Sequence, residues 1–287
     1  MKFDLQDLNP IQKQYYLQHV IAPRPVCFAS TIDKEGNVNL SPFSFFNVFS
    51  ILPPIVIFSP SNRVRNNTTK HTLQNVLEVP EVVINIVTYD MVQQMSLSSC
   101  EYPKGVDEFV KAGFTKETAT HVKPPMVKES KVKLECKVME VKPLGSGGGA
   151  GNLVICEVIC IHINDDLLDN EQKLDQTKLE LVARLGGDWY CKVTEENLFM
   201  VPKPNIKLGI GIDALPEHIK SSKILTGNHL GMLANVESIP VADEEFVNEQ
   251  VQNSTTSSDW EEHLFAANLL NENKIDEAWQ VLLSGKT

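Results

Sequence analysis

Through most of this chain, apolar residues fall in short alternating or continuous runs, and helical spacing sets in only towards the end. "RPVCFASTID" followed by "KEGNVNLSPFSFF" predicts two strands joined by a turn, because β-branched and aromatic runs flank a polar "DKEGN" that supplies a left-handed glycine. "PPIVIFSPS" is a short β-branched run bounded by prolines. In "TTKHTLQNVLEVPE", Thr68 or Thr69 caps a short helix that ends before Pro80. "VVINIVT" reads as a buried strand. "KVKLECKVMEVKPL" alternates at period two, "GNLVICEVICIHIND" does so more weakly, and "GSGGGAG" between them is a flexible hairpin loop. Many short strands with turn punctuation and few helices predict an antiparallel barrel or sandwich.

The period changes after Pro204. "GIDALPEHIKSSKILTGNHLGMLANV" has apolar residues at helical spacing, and "NEQVQNSTTSSD" is a polar linker. "WEEHLFAANLLNENKIDEAWQVLLSGK" then predicts two short helices joined at "NENK", with Trp260, Leu264, Ala267 and Leu270 facing Ala278, Trp279 and Leu282. The expected organisation is a β domain over residues 1–205 and a helical extension over 206–287, with the linker near 248–258.

Composition narrows the function. The 287 residues are 42% hydrophobic and 22% charged, as in ordinary globular proteins. Lys plus Arg number 26 against 37 Asp plus Glu, a net charge of -11 that repels phosphate backbones and anionic lipid. Nucleic-acid and membrane roles are disfavoured. The N-terminal stretch has acidic residues and no uninterrupted apolar core, so a cytoplasmic protein is expected. Six scattered cysteines without a CxxC pair read as reduced core residues, with no disulfide framework and no zinc site.

Candidate chemistry begins at "SPFSFFNVFS", residues 41–50. Ser41 and Ser44 differ in parity, so a flat strand would put them on opposite faces; Pro42 suggests that a bulge bends the backbone there. A bulge beside hydroxyls, the Asn47 carboxamide and the faces of Phe43, Phe45 and Phe46 suits a planar heteroaromatic ligand with polar edges. The competing reading is that these polar groups satisfy buried backbone. "SPSNRVRNNTTKHTLQN" adds Arg63, Arg65 and Lys70 around a helix start that carries Thr68, Thr69 and Thr72. Cations, hydroxyls and free amides there form an anion site for phosphate, against the alternative of a solvated loop with routine capping.

Taken in order, "IAPRPVCFASTIDKEGNVNLSPFSFFNVFSILPPIVIFSP", "KHTLQN", "CEYPKGVDEF", "KPPMVKES", "VICEVICIHIND" and "ARLGGDWY" resemble the flavin reductase-like family, from about Pro23 to about Pro204. The resemblance implies the FMN-binding split β-barrel, mainly β, antiparallel and of Greek-key type, with short helices and here a helical C-terminal extension. It implies a homodimer with FMN at the subunit interface. Carried over residue by residue, the flavin contacts are Arg24, Ser30, Thr31, Ser41, Phe43, Ser44, Asn47, Lys70, Thr72 and Asn75, with Lys70 and Thr72 near the phosphate. The family more often has an acidic residue where His71 stands.

Three further motifs have two readings each. Asp107 and Glu108 in "YPKGVDEF" form a flap or dimer contact, or Asp107 caps a short "EFVKAG" helix. His162 in "CIHIND", at a strand end, is the catalytic candidate ahead of His121, against an ordinary structural histidine. Arg184, Gly186 and Gly187 lie near a ligand or interface, or the glycines make a turn. "GSGGGAG" lacks the lysine and following helix of a phosphate-binding P-loop. The expected activity is hydride transfer from NADH or NADPH to FMN. Alternatives are a flavoredoxin-like electron carrier that docks an acceptor protein, and a non-catalytic split barrel with a different ligand.

Overall fold

A computed structural model describes residues 1–202, 208–243 and 258–284. The chain divides into two compact units, Met1–Leu198 and Phe199–Thr287. Among the described residues no helix is long and apolar enough to cross a membrane.

The first unit opens with α1 (Pro10–Val20), started by Pro10 and by a reciprocal cap between Asn9 and Gln12. Strands β1 (Arg24–Pro25), β2 (Cys27–Ile32), β3 (Val38–Phe43), β4 (Phe46–Ser50) and β5 (Ile55–Phe58) follow. After α2 (His71–Glu78) come β6 (Glu81–Ile86), α3 (Val92–Ser98), α4 (Glu108–Ala112) and the short β7 (Lys116–Glu117) and β8 (Met126–Val127). The long β9 (Val132–Pro143) and β10 (Asn152–Ile163) precede β11 (Val182–Arg184) and β12 (Tyr190–Lys192).

Seven strands form one antiparallel sheet in the order β3-β2-β6-β9-β10-β5-β4. Register shifts between Ile155 and Cys156 and between Val158 and Cys160 bend the long β9–β10 ribbon, and the sheet curls into a half-barrel as a split barrel requires. Strand β2 is buried at every position because both of its faces are covered. Cys27 and Ala29 pack with Phe58, Leu73 of α2 and Cys136. Phe28, on the other face, packs with Leu40, Phe109 of α4 and Phe114, whose ring meets it edge-on at 5.2 Å. Burial pushes the Cys136 thiol up to about 12, so it stays protonated in the core.

Several local expectations change. Strand β3 pairs with β2 in unbroken register from Val38 to Phe43, so Ser41 and Pro42 make no bulge; the chain bends at Ser44 and Phe45 instead, and the shift lies between Val48 and Ser50. Helix α2 is capped by Lys70, without a side-chain bond, and not by Thr68 or Thr69; Thr69 Oγ1 accepts from Gln74 Nε2 at 3.0 Å. Asp107 does cap α4, its Oδ1 accepting from Phe109 N at 3.0 Å.

The second unit contains α5 (Glu217–Lys220), α6 (Gly227–Leu233), α7 (Asp259–Asn271) and α8 (Ile275–Ser284). Its core gathers Ile219, Leu233, Ala267, Leu270, Ala278 and Trp279, as the helical spacing indicated. Trp260 and Leu264 are exposed, however, because the buried stripe of α7 runs through Ala266 and Leu269. The polar linker near 248–258 lies outside the described residues except for Ser258, the cap of α7.

Glu135 of β9 is fully buried and ties the sheet to the 120–122 segment. Its carboxylate accepts from Thr120 N at 2.9 Å, His121 N at 2.5 Å and Val122 N at 3.1 Å, and meets His162 Nε2 at 2.6 Å. Desolvation raises its pKa, but the bonds from Thr120, His162, His121 and Val122 outweigh it and hold the carboxyl below its ordinary value. A depressed folded pKa contributes stability above the unfolded value, which is lost as pH falls through the folded one. Glu135→Ala leaves three amides unpaired and should cost about 3 kcal/mol in urea unfolding at neutral pH, with the difference from wild type shrinking in acid.

Candidate flavin site

The first unit holds a groove of about 730 Å³. One wall is α1, through Lys13, Gln14, Leu17 and Gln18; the others come from Phe45, the Ser61–Arg65 segment, Lys70, Glu101 and the Gly148–Gly149 tip of the β9–β10 hairpin.

Its polar end is a loop that closes on itself. Arg63 N donates to Thr68 O at 2.9 Å, Asn67 N returns a bond to Arg63 O at 2.8 Å, and Arg63 Nη1 donates to Thr69 O at 2.6 Å. Asn67 adopts a left-handed conformation, which lets the chain reverse. The hairpin tip buttresses this loop: Asn62 N donates to Ala150 O at 2.8 Å, Gly149 N to Asn62 O at 3.0 Å, and Asn67 Nδ2 to Ser146 O at 2.8 Å. Contact is so close that a Cβ on Gly148 would lie 2.8 Å from Val64 O. The "GSGGGAG" segment therefore positions the cationic loop.

Lys70 stands at the start of α2 with its Nζ 5.1 Å over the Phe43 ring. Among the described residues it has no ion-pair partner. Burial, then Arg63, lowers its pKa, with Glu101 opposing; burial, Arg63 and Lys104 likewise lower that of His71. A positive local field thus persists in an acidic chain. Behind it, a buried polar row fastens α2 to the sheet: Asn39 Nδ2 donates to Thr72 Oγ1 at 2.9 Å and to Ser41 Oγ at 3.5 Å, and Asn75 Nδ2 donates to Thr31 Oγ1 at 3.2 Å.

Of the residues singled out in the sequence, Lys70 lines the groove, Phe43 lies under the Lys70 ammonium but outside the groove lining, and Thr31, Ser41, Thr72 and Asn75 belong to the polar row. Ser44 faces a separate cavity of about 140 Å³ with Arg184 and Tyr190. Asn47 is exposed on β4, its Oδ1 accepting from Val48 N. Ser30 points to the face of β2 opposite Thr31 and is fully buried, its Oγ lacking a hydrogen-bond partner among the described residues. Arg24 clamps the end of α1, Nη1 donating to Gln18 O and Ile21 O at 2.7 Å and Nη2 to Leu185 O at 3.0 Å. His162 sits apart from the groove lining, with Glu135 and with Cys160 Sγ 3.7 Å away. Gly186 and Gly187 make the β11–β12 turn, and the His19 ring occupies the space a Gly186 Cβ would need.

The profile of the Flavin reductase like domain matches residues 20–178, more than half of the chain. The chain belongs to the flavin reductase-like family. An uncharacterized protein of Aquifex aeolicus is 39% identical over 177 residues, covering 62% of this chain and 88% of that one. Nitrilotriacetate monooxygenase component B from Bacillus cereus superposes with a TM-score of 0.65 at 26% identity, over 70% of this chain and 98% of its own. A Shewanella frigidimarina protein assigned as a flavin reductase with a split barrel domain shares the fold, with a TM-score of 0.60 at 24% identity over 71% and 99% of the two chains.

For this flavin reductase-like domain, the wall from α1, the hairpin buttress and Glu101 were missed by sequence reasoning. Gly148 carried a signal, since glycine runs accompany close backbone approach as well as flexibility. Gly148→Val should destabilise the unit by about 1–3 kcal/mol in chemical denaturation. Gly147→Ala, where a Cβ meets nothing within 4 Å, should leave stability unchanged.

Proposed function

We propose that the first unit binds FMN in this groove and acts as an NAD(P)H-dependent flavin oxidoreductase, as a cytoplasmic homodimer. The observation that carries the reading is Lys70, a half-buried cation without a carboxylate partner among the described residues, at the Arg63 and Arg65 end of a groove that Phe45, Leu17 and Val64 line elsewhere. A desolvated unpaired ammonium is costly to keep, and a phosphate monoester would satisfy it. The cluster suits one phosphate, and Phe45, 43% exposed on the wall, offers a ring system flat surface. The residues present therefore fit FMN.

Lys70, Arg63 and Arg65 would hold the phosphate, and the Ser41 to Asn47 bend would border the ring. Bound FMN supplies the electron sink, taking hydride from a reduced nicotinamide. The chain's own task is to orient the flavin and leave one face open to the donor, which needs no acid–base triad. The homodimer is supported by β4, an outer strand of the sheet, followed by Ile51 and Leu52, which are 80% and 93% exposed.

Lys70→Met should weaken FMN binding about ten- to hundredfold in a fluorescence titration, while the ligand-free protein melts no lower than wild type. In an anaerobic visible spectrum of FMN-loaded protein, NADH or NADPH should bleach the flavin band. A band that persists points to the electron-carrier role, and a protein that takes up no flavin overturns the proposal.

A further inference from the structure

Glu101 is an acid placed among the groove's cations. Its Oε1 lies 3.3 Å from Arg63 Nε and its Oε2 2.8 Å from Arg65 Nη2. Arg63 is fixed by its bonds to Thr69 O and Thr68 Oγ1 and is 18% exposed. Arg65 and Glu101 are 78% and 55% exposed, so charge rather than packing holds the carboxylate in place. The guanidinium N–H groups that Glu101 engages belong to the same cluster that an entering phosphate would meet. Lys70, close by, remains without an anion.

From this we infer that Glu101 is a built-in competitor for the phosphate of the ligand. In the free protein its carboxylate occupies Arg63 and Arg65, and a phosphate monoester binds by displacing it. The inference rests on the FMN reading above. A carboxylate carries one negative charge and a phosphate monoester close to two at neutral pH, so the exchange favours the ligand. It favours the ligand by less than an open cluster would, because Arg63 and Arg65 must first release Glu101. The displaced side chain is exposed and reaches water without disturbing the core. Such an arrangement makes the flavin an exchanging ligand and confines the penalty to phosphorylated forms.

The full-length wild type, Glu101→Gln and Glu101→Asp are titrated with FMN and with riboflavin, which lacks the phosphate, and FMN release is timed by stopped flow. Glu101→Gln should tighten FMN about three- to tenfold and slow its release, with riboflavin affinity unchanged. Glu101→Asp, which keeps the charge, should resemble wild type on both ligands. An FMN affinity unchanged by Glu101→Gln, or an equal shift for FMN and riboflavin, overturns the inference while leaving flavin binding intact. A wild type that takes up neither flavin overturns both it and the reading beneath it.

Discussion

The charged end of the groove depends on the contact between two stretches of backbone, the tip of the β9–β10 hairpin and the Asn62–Val64 segment. Without a side chain at Gly148 the two approach closely enough for reciprocal hydrogen bonds between Asn62 and the Gly149–Ala150 pair. That contact fixes the loop in which Arg63 donates to Thr69 O, and so fixes where the guanidinium can point. Small changes there move charges, and Coulomb energy in a half-buried cleft varies steeply with distance.

An overall charge of -11 makes this local arrangement more consequential. The protein as a whole repels anions, and its groove presents Lys70, Arg63 and Arg65 to them. Long-range repulsion is screened beyond about 10 Å at ordinary ionic strength, whereas the cluster acts at contact. An anion therefore gains little during approach and much on arrival. Glu101 moderates that gain from within, which separates the strength of the site from the number of its cations.

Strands β2, β3, β5, β6, β9 and β10, the first hairpin, the short helix after Lys70 and the terminal helical hairpin were legible in the sequence, because each follows from period, turn residues or proline punctuation. Lys70 was legible too, as a cation at a helix start in an acidic chain. What escaped was long-range. The parity of Ser41 and Ser44 was read as a bulge, although a bend at Ser44–Phe45 satisfies the same parity and leaves β3 regular. The groove wall from α1 could not be seen, since helix and loop are about fifty residues apart in sequence and α1 is anchored instead to Leu185 and Gly186 through Arg24 and His19. In α7 the apolar residues go nearly all round, so spacing did not decide between the Trp260–Leu264 stripe and the Ala266–Leu269 stripe that is buried.

Hydrogen-bond satisfaction then separates residues that position from residues free to bind. Asn39, Thr72, Asn75 and Thr31 satisfy one another across the α2–sheet boundary, and buried groups so paired resist displacement. They fix α2 against β2 and β3, which sets the place of Lys70 at its first turn. Arg24 is likewise engaged by three carbonyls and secures the opposite wall. Among the described residues Lys70 has no such partner, and the Oδ1 of exposed Asn47 accepts from its neighbour's amide. The family resemblance nominated Thr31, Thr72, Asn75, Arg24, Lys70 and Asn47 together, and it did not single out Asn39. Their partners in the fold assign the first group to architecture and leave Lys70, on the groove lining, as a cation whose charge no carboxylate among the described residues contacts.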